Sequence, residues 1–305
     1  MSRQRSTLAQ SQQIITLALL AASAAWLIGF RDRSLWLSAA GFMSIVVGYS
    51  GFLALELVAQ RWVNRCDPAP RAGLRMLVGA WVAEVLQAPR VFCWRQPFRW
   101  RVIPDRLSPV EQLRGRRGVV FVHGFICNRG FWTPWLRRLE GSGHAFVAVN
   151  LEPAFGSIDH YSQIIDQAVR AVSQASGVPP LLVCHSMGGL AARAWLRDFS
   201  SSTRIYRVVT IAAPHHGTWL ARFSRFRNGR QMAIGSTWLR SLAACEPAVK
   251  DLFTCWYSNC DNVVFPVSTA MLPGADNRMV AGSAHVELAF HPRVMDATFA
   301  LLHQL

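Results

Sequence analysis

Two long uncharged stretches open the chain. Ser6 to Phe30 contains no charged residue and has its apolar core from Ile14 to Phe30, and Ser34 to Leu55 is uncharged again. Each matches the roughly 20 residues that cross a bilayer core, and only Arg31-Asp32-Arg33 separates them. The pattern predicts a helical hairpin of two membrane spans. A cleaved signal peptide competes, because Arg3 and Arg5 precede the run and Ala22-Ser23-Ala24 resembles a cleavage site. The apolar run continues past that site and a second span follows, which favours the hairpin. Leu74 to Leu86 is a further apolar stretch, short for a span and carrying Glu84. A third span there would move everything after it to the other side of the membrane.

After residue 116 the pattern changes. Short apolar runs at 118–122, 145–150, 180–185, 205–212, 253–258 and 278–282 alternate with helical stretches. This is the rhythm of an α/β fold, a mostly parallel sheet with helices on both faces. Gly118 to Val122 is continuously apolar, as an inner strand buried on both faces must be. Ile158 to Ser176 places Ile164, Ile165, Ala168, Val169 and Val172 on one helical face and stops at Gly177-Val178-Pro179-Pro180. The chain thus divides into a membrane anchor (1–60), an interfacial linker (61–115) and an α/β domain (116–305). Within that domain, residues 218–247 interleave Trp219, Phe223, Phe226 and Trp238 with Arg222, Arg225 and Arg230. Such an insertion is either a lid lying against lipid headgroups or an amphipathic cap packed on the body.

Charge sharpens the membrane reading. Arg61, Arg65, Arg71 and Arg75 follow the second span, and Arg3 and Arg5 precede the first, against two arginines and an aspartate in the intervening loop. The positive-inside rule then puts both ends in the cytoplasm, with the domain facing the cytosol from a bacterial inner membrane. The formal charge is +15, nearly all from arginine. Those arginines are spread over flanks, insertion and helices with no nucleic-acid-binding motif, so the partner they suit is an anionic lipid surface, not nucleic acid. The aromatic and arginine alternation from Phe92 to Arg101 fits the same interface. Seven scattered cysteines fit free thiols in a reducing compartment.

The chemistry lies in the α/β domain. Leu181 to Gly189 reads as a buried strand, a sharp turn presenting Ser186, and a helix start: a nucleophile elbow. Cys184 stands where such elbows usually carry glycine. Upstream, the 118–122 run ends at His123-Gly124-Phe125, where a loop supplies one backbone N–H to an oxyanion and the residue after the nucleophile supplies the other. Those donors are Phe125 and Met187, with His123, Gly124, His185 and Gly188 supporting them. A serine hydroxyl needs a base to take its proton and a carboxylate to orient that base. His285 follows a short strand and a small-residue loop; His291, before Pro292, reads as a cap or surface residue. Asp261 lies after the 253–258 strand, at the sheet end that carries sites in open α/β folds, and Asp251 and Asp276 are its rivals.

With these residues in place, the chain from about Gly118 onward resembles the α/β-hydrolase superfamily, in its lipase-like branch. Thr210 to Thr218, with Pro214-His215-His216-Gly217-Thr218, resembles a segment of bacterial triacylglycerol lipases and of GPI-inositol deacylase-like proteins. The resemblance implies a serine hydrolase acting on lipid or other acyl esters through Ser186, His285 and Asp261, without a cofactor. No aspartate closely follows His285, so calcium is unsupported, and His215 and His216 lack a second cluster with metal-ligand spacing. The domain is short, so the fold's usual first strands are either drawn from Val91 to Ile103 or missing. The alternatives are a thioesterase or deacylase of lipid-linked substrates, and a non-catalytic membrane scaffold.

Overall fold

The computed structural model describes residues 6–199, 202–245 and 250–303. The six apolar runs form one wholly parallel sheet in the order β2-β1-β3-β4-β5-β6, with β1 Val119–Val122, β2 Phe146–Ala148, β3 Leu181–His185, β4 Arg207–Ile211, β5 Phe253–Tyr257 and β6 Asp276–Met279. The last strand starts earlier than its apolar pattern predicts. Asp276 and Asn277 pair with Thr254 and Cys255 at the outer edge of the sheet, where one side is unpaired and polar residues are tolerated. Among the described residues no strand precedes β1. Val91 to Phe98 is helical, and only Arg106 bonds antiparallel to Phe146 at the opposite edge.

Four long helices precede the sheet among the described residues: α1 Thr7–Phe30, α2 Leu35–Val47, α3 Tyr49–Val63 and α4 Leu74–Pro89, the last running on without a break to Phe98; a single helical turn, Val110–Leu113, leads into β1. They are followed by α5 Thr133–Leu139, α6 Tyr161–Ser176, α7 Met187–Phe199, α8 Arg227–Gln231, α9 Thr237–Cys245, α10 His285–Leu288 and α11 Pro292–Ala300. Side chains alternate across the sheet. Val120 and Val122 join the core beneath α6 and α7, while Val119 and Phe121 pack with Trp132, Trp135 and Val294 on the other face. Gly177, with φ of 75°, ends α6 in the left-handed conformation that glycine adopts without strain.

The α1 helix is long and apolar enough to cross a membrane, and so is Leu74–Phe98. The second uncharged run is helical but broken: α2 and the helix after it meet at 52°. Gly48, Ser50 and Gly51 cluster at the break, and Ser44 bonds back to the Ala40 carbonyl just before it. Both features bend helices.

The segment 61–115, read as a linker, is built largely on α4. Leu77, Ala80, Glu84, Gln87 and Val91 form a buried stripe at helical spacing, while Leu74, Val78, Val82 and Leu86 on the opposite face are exposed. Glu84 argued against membrane entry in the sequence; in the structure it is 2% exposed because it faces the α/β domain. Arg3 and Arg5, one flank of the topology argument, lie outside the described residues, as does the end of the 218–247 insertion at 246–247.

Candidate active site

Strand β3 delivers Ser186 to a tight turn. Its φ is 54°, a left-handed value costing a non-glycine residue about 1–2 kcal/mol. Backbone bonds on both sides hold it there: Ser186 N–H donates to the Ile211 carbonyl at 2.9 Å, and Gly189 N–H donates to the Ser186 carbonyl at 2.9 Å. Gly188 lets α7 start this close to the sheet, since a Cβ there would lie 2.5 Å from the Val122 carbonyl oxygen. Cys184 is fully buried, so the thiol fits where glycine is usual.

The loop after β1 is fixed by its own histidine. Leu151 N–H donates to His123 Nε2 at 3.0 Å, which leaves the proton on Nδ1, 2.9 Å from the Gly124 carbonyl oxygen. Burial holds this imidazole down at about 4, so it is neutral. A trans peptide points its C=O and N–H in opposite directions. Anchoring the Gly124 carbonyl therefore also sets the direction of the Phe125 N–H. A Cβ on Gly124 would stand 2.7 Å from Ser186 Cβ, so this loop and the elbow are in contact.

Asp261 and His285 come together from the loops after β5 and β6. His285 Nδ1 lies 3.0 Å from each Asp261 carboxylate oxygen, and the carboxylate also accepts the Val263 and Val264 N–H groups at 2.9 and 2.8 Å. With Nδ1 engaged, Nε2 is the nitrogen left for proton exchange. Burial opposes charge on His285, but the Asp261 carboxylate together with those of Glu84 and Glu56 outweighs it, so the imidazole binds its proton more tightly than an ordinary histidine. His185, next to Ser186, brings this imidazole to the elbow: the two rings are 4.7 Å apart, and His185 Nε2 lies 3.2 Å from the His285 carbonyl oxygen. Burial keeps His185 neutral, well below the usual histidine range. Ser186, His285 and Asp261 are all nearly closed to solvent.

The rivals are elsewhere. His291 caps α11, accepting the Arg293 N–H at 3.3 Å. Asp251 is exposed, and Asp276 pairs with Arg278 at 2.7 Å. His215 is buried against Thr210, with Nε2 3.0 Å from its hydroxyl. Among the described residues no group of three metal-ligating side chains occurs. Residues 218–245 of the insertion fold into short helices, tied to the front of α6 where Trp238 donates to Asp159 and Gln231 accepts the Ile158 N–H. Phe226 of this insertion stacks on Phe155 at 4.1 Å, and both approach Phe125.

The sequence reading missed four residues that support His285. Asn262 accepts the His285 N–H at 3.1 Å and donates to Glu56 at 2.7 Å. Asn259 accepts the Gly282 N–H at 3.0 Å, and Glu84 takes the N–H groups of Val286 and Glu287 at 3.0 and 3.1 Å. A lone acid in an apolar helix was the available signal, because such a group requires a partner.

The profile of the alpha/beta hydrolase family matches residues 119–297. A comparison with the curated proteins gave no match. Among solved structures, lipase B of Aspergillus fumigatus is similar at 18% identity and a TM-score of 0.58, covering 98% of this chain and 82% of its own. The mature form of a Bacillus licheniformis lipase is similar at 17% identity and 0.55, covering 65% of this chain and 95% of its own. At such identities the likeness is one of fold. With the profile spanning more than half of the sequence and the parallel sheet, elbow and loops arranged as described, the chain belongs to the alpha/beta hydrolase family.

Proposed function

We propose that this protein is a membrane-anchored serine hydrolase of carboxylic esters, acting on lipid or another acyl ester. Ser186 attacks the ester carbonyl, and His285 takes the hydroxyl proton through Nε2 and returns it to the departing alcohol. Asp261 orients His285 and stabilises its protonated form. The tetrahedral oxyanion is met by the Phe125 and Met187 N–H groups. Water then repeats the sequence on the acyl-enzyme and releases the acid. The observation that carries this reading is the pairing of His285 Nδ1 with both oxygens of Asp261 at 3.0 Å, beside an elbow that holds Ser186 at φ 54°.

Two features support an apolar acyl substrate: the cluster of Phe125, Phe155 and Phe226 at the oxyanion loop, and exposed apolar faces on the N-terminal helices. Those helices hold the enzyme in the membrane, and the arginines after α3 favour a cytoplasmic segment there; α4, whose buried stripe packs on the α/β domain, lies along that domain instead of crossing and keeps it on the same side. Labelling of the full-length protein in detergent by a fluorophosphonate probe tests the nucleophile. Labelling that disappears in Ser186→Ala is expected. A folded wild type that stays unlabelled would turn the reading toward a non-catalytic scaffold.

A further inference from the structure

At the end of α3, away from Ser186, lies a cavity of about 230 Å³. Its polar lining comes from Gln60, Arg61, Asn64, Arg65, Arg71 and Asn259, and no carboxylate is among its lining residues. Arg61 donates to the Ala72 carbonyl at 3.2 Å and Arg71 to the Arg65 carbonyl, which fixes these guanidinium groups at the cavity while their other N–H groups and their charge can meet an anion. A neutral donor also lies in the wall. Asn64 is 9% exposed and its Oδ1 accepts the Val267 N–H at 2.9 Å, but its Nδ2, buried, has no hydrogen-bond partner among the described residues. An arginine fork presents paired N–H groups that match phosphate oxygens.

Two apolar grooves open from the same place. One of about 320 Å³ runs between α3 and α4 past Leu57, Leu77, Val78 and Trp81. The other, of about 380 Å³, follows the outer face of α3 past Leu55, Val58 and Trp62. Arg61 lines the cavity and both grooves, and Arg65 lines the cavity and the second groove. A cationic, hydrogen-bonding pocket at the head of two apolar channels has the form of a two-chain lipid with a negatively charged headgroup.

We propose that this is a binding site for an anionic phospholipid, separate from the catalytic serine, with the phosphate held in the arginine cavity and the acyl chains along the two grooves. The site rests on the reading that α3 and α4 meet lipid. It also reaches the catalytic machinery. Asn259, in the cavity wall, donates to the Pro70 carbonyl at 3.2 Å, accepts Gln60 Nε2 on its own carbonyl at 2.6 Å, and holds the Gly282 N–H three residues before His285. A bound headgroup therefore stiffens the loop that carries the base.

The test uses the full chain purified in a neutral detergent. It is titrated with dioctanoyl phosphatidylglycerol, dioctanoyl phosphatidylcholine or inorganic phosphate, and read by native mass spectrometry and thermal unfolding. Phosphatidylglycerol should be retained and raise the melting temperature, well ahead of phosphatidylcholine. In Arg61→Gln/Arg65→Gln its binding should weaken about thirtyfold, from the contribution of two surface arginines. Asn64→Asp keeps the acceptor for Val267 and places a carboxylate among the arginines, so it should remain folded, with a cooperative melt, and lose the lipid. Equal retention of the two lipids, or binding unchanged in both variants, would overturn the site. Saturation by inorganic phosphate alone would assign the cavity to free phosphate and overturn the lipid. Release of the wild-type chain from carbonate-washed membranes would instead sink the anchoring, whatever the titration gives.

Discussion

Glu84 accepts the Val286 N–H at 3.0 Å across 202 residues of sequence, so a carboxylate on an N-terminal helix caps the turn that begins with His285. The same carboxylate takes the Glu287 N–H at 3.1 Å. Both are N–H groups of a helix start, which have no partner within the helix. On α3, Glu56 does comparable work through Asn262, which holds the His285 N–H. The helices read as an anchor are thus part of the frame of the candidate site.

Removing the Glu84 carboxylate should loosen that frame. Glu84→Ala orphans one buried and one partly buried N–H group, at about 1–3 kcal/mol for the buried one, and should lower the melting temperature and reduce kcat more than it raises KM. Glu84→Gln keeps one carbonyl oxygen and should recover part of both. An alanine variant with wild-type stability and kcat would show that α4 does not position His285.

Hydrolysis should fall on the acid side at a pH above the ordinary histidine value of 6.5, because His285 must be neutral to act and its pKa is raised. Asp261→Asn should move this limb to lower pH while cutting the rate by about 10⁴-fold, as a misoriented imidazole does. A kcat/KM profile with its acid limb well below 6.5 in the wild type would contradict the pairing.

Stability has two opposite pH dependences. The raised His285 stabilises the fold most below 6.5, its unfolded value, and that contribution is lost as pH rises through the folded pKa. His123 is lowered to about 4 by burial, so the unfolded chain binds its proton first. Its contribution is present above 6.5 and is lost as pH falls toward 4, on the order of 3 kcal/mol. His185 and His215 are shifted in the same direction. Melting in detergent should therefore drop steeply between pH 6.5 and 4, and His123→Asn should flatten part of that drop.

Gly124→Ala places a methyl 2.7 Å from Ser186 Cβ and 3.2 Å from His185 Nδ1. Displacing the nucleophile or the loop by a fraction of an ångström should lower kcat by about 10²-fold, with a modest change in melting temperature. Esterase kinetics beside a thermal melt separates the two effects. Unchanged kcat would mean that the loop yields without disturbing the elbow.

His285→Ala should abolish hydrolysis, whereas His291→Ala should keep most of it and lose only a weak cap on α11. The opposite pattern in an ester assay would exchange the two roles.

Five strands of the sheet were legible because they are local and unambiguous: Val119 to Val122 is apolar at every position and is buried at every position. β6 was placed late because an edge strand draws its pairing from Thr254 to Tyr257, not from its own apolarity. The elbow was readable for a similar reason, since a strand, Ser186 and two glycines are contiguous. Leu74 to Leu86 was undervalued: the helix continues through Pro89 to Phe98, and its acid is satisfied by a distant loop.

By itself the sequence determined the apolar N-terminal helices, the βα alternation and the strand-turn-helix that presents Ser186, all properties of short neighbouring stretches governed by burial and periodicity. Only the tertiary structure decided which aspartate meets His285, how His123 sets the Gly124 peptide, and that Glu56 and Glu84 face the loops that carry Asp261 and His285. Those relations join residues as much as 200 positions apart. No local pattern encodes them, because a hydrogen bond depends on where the fold brings a donor and an acceptor, not on their separation along the chain.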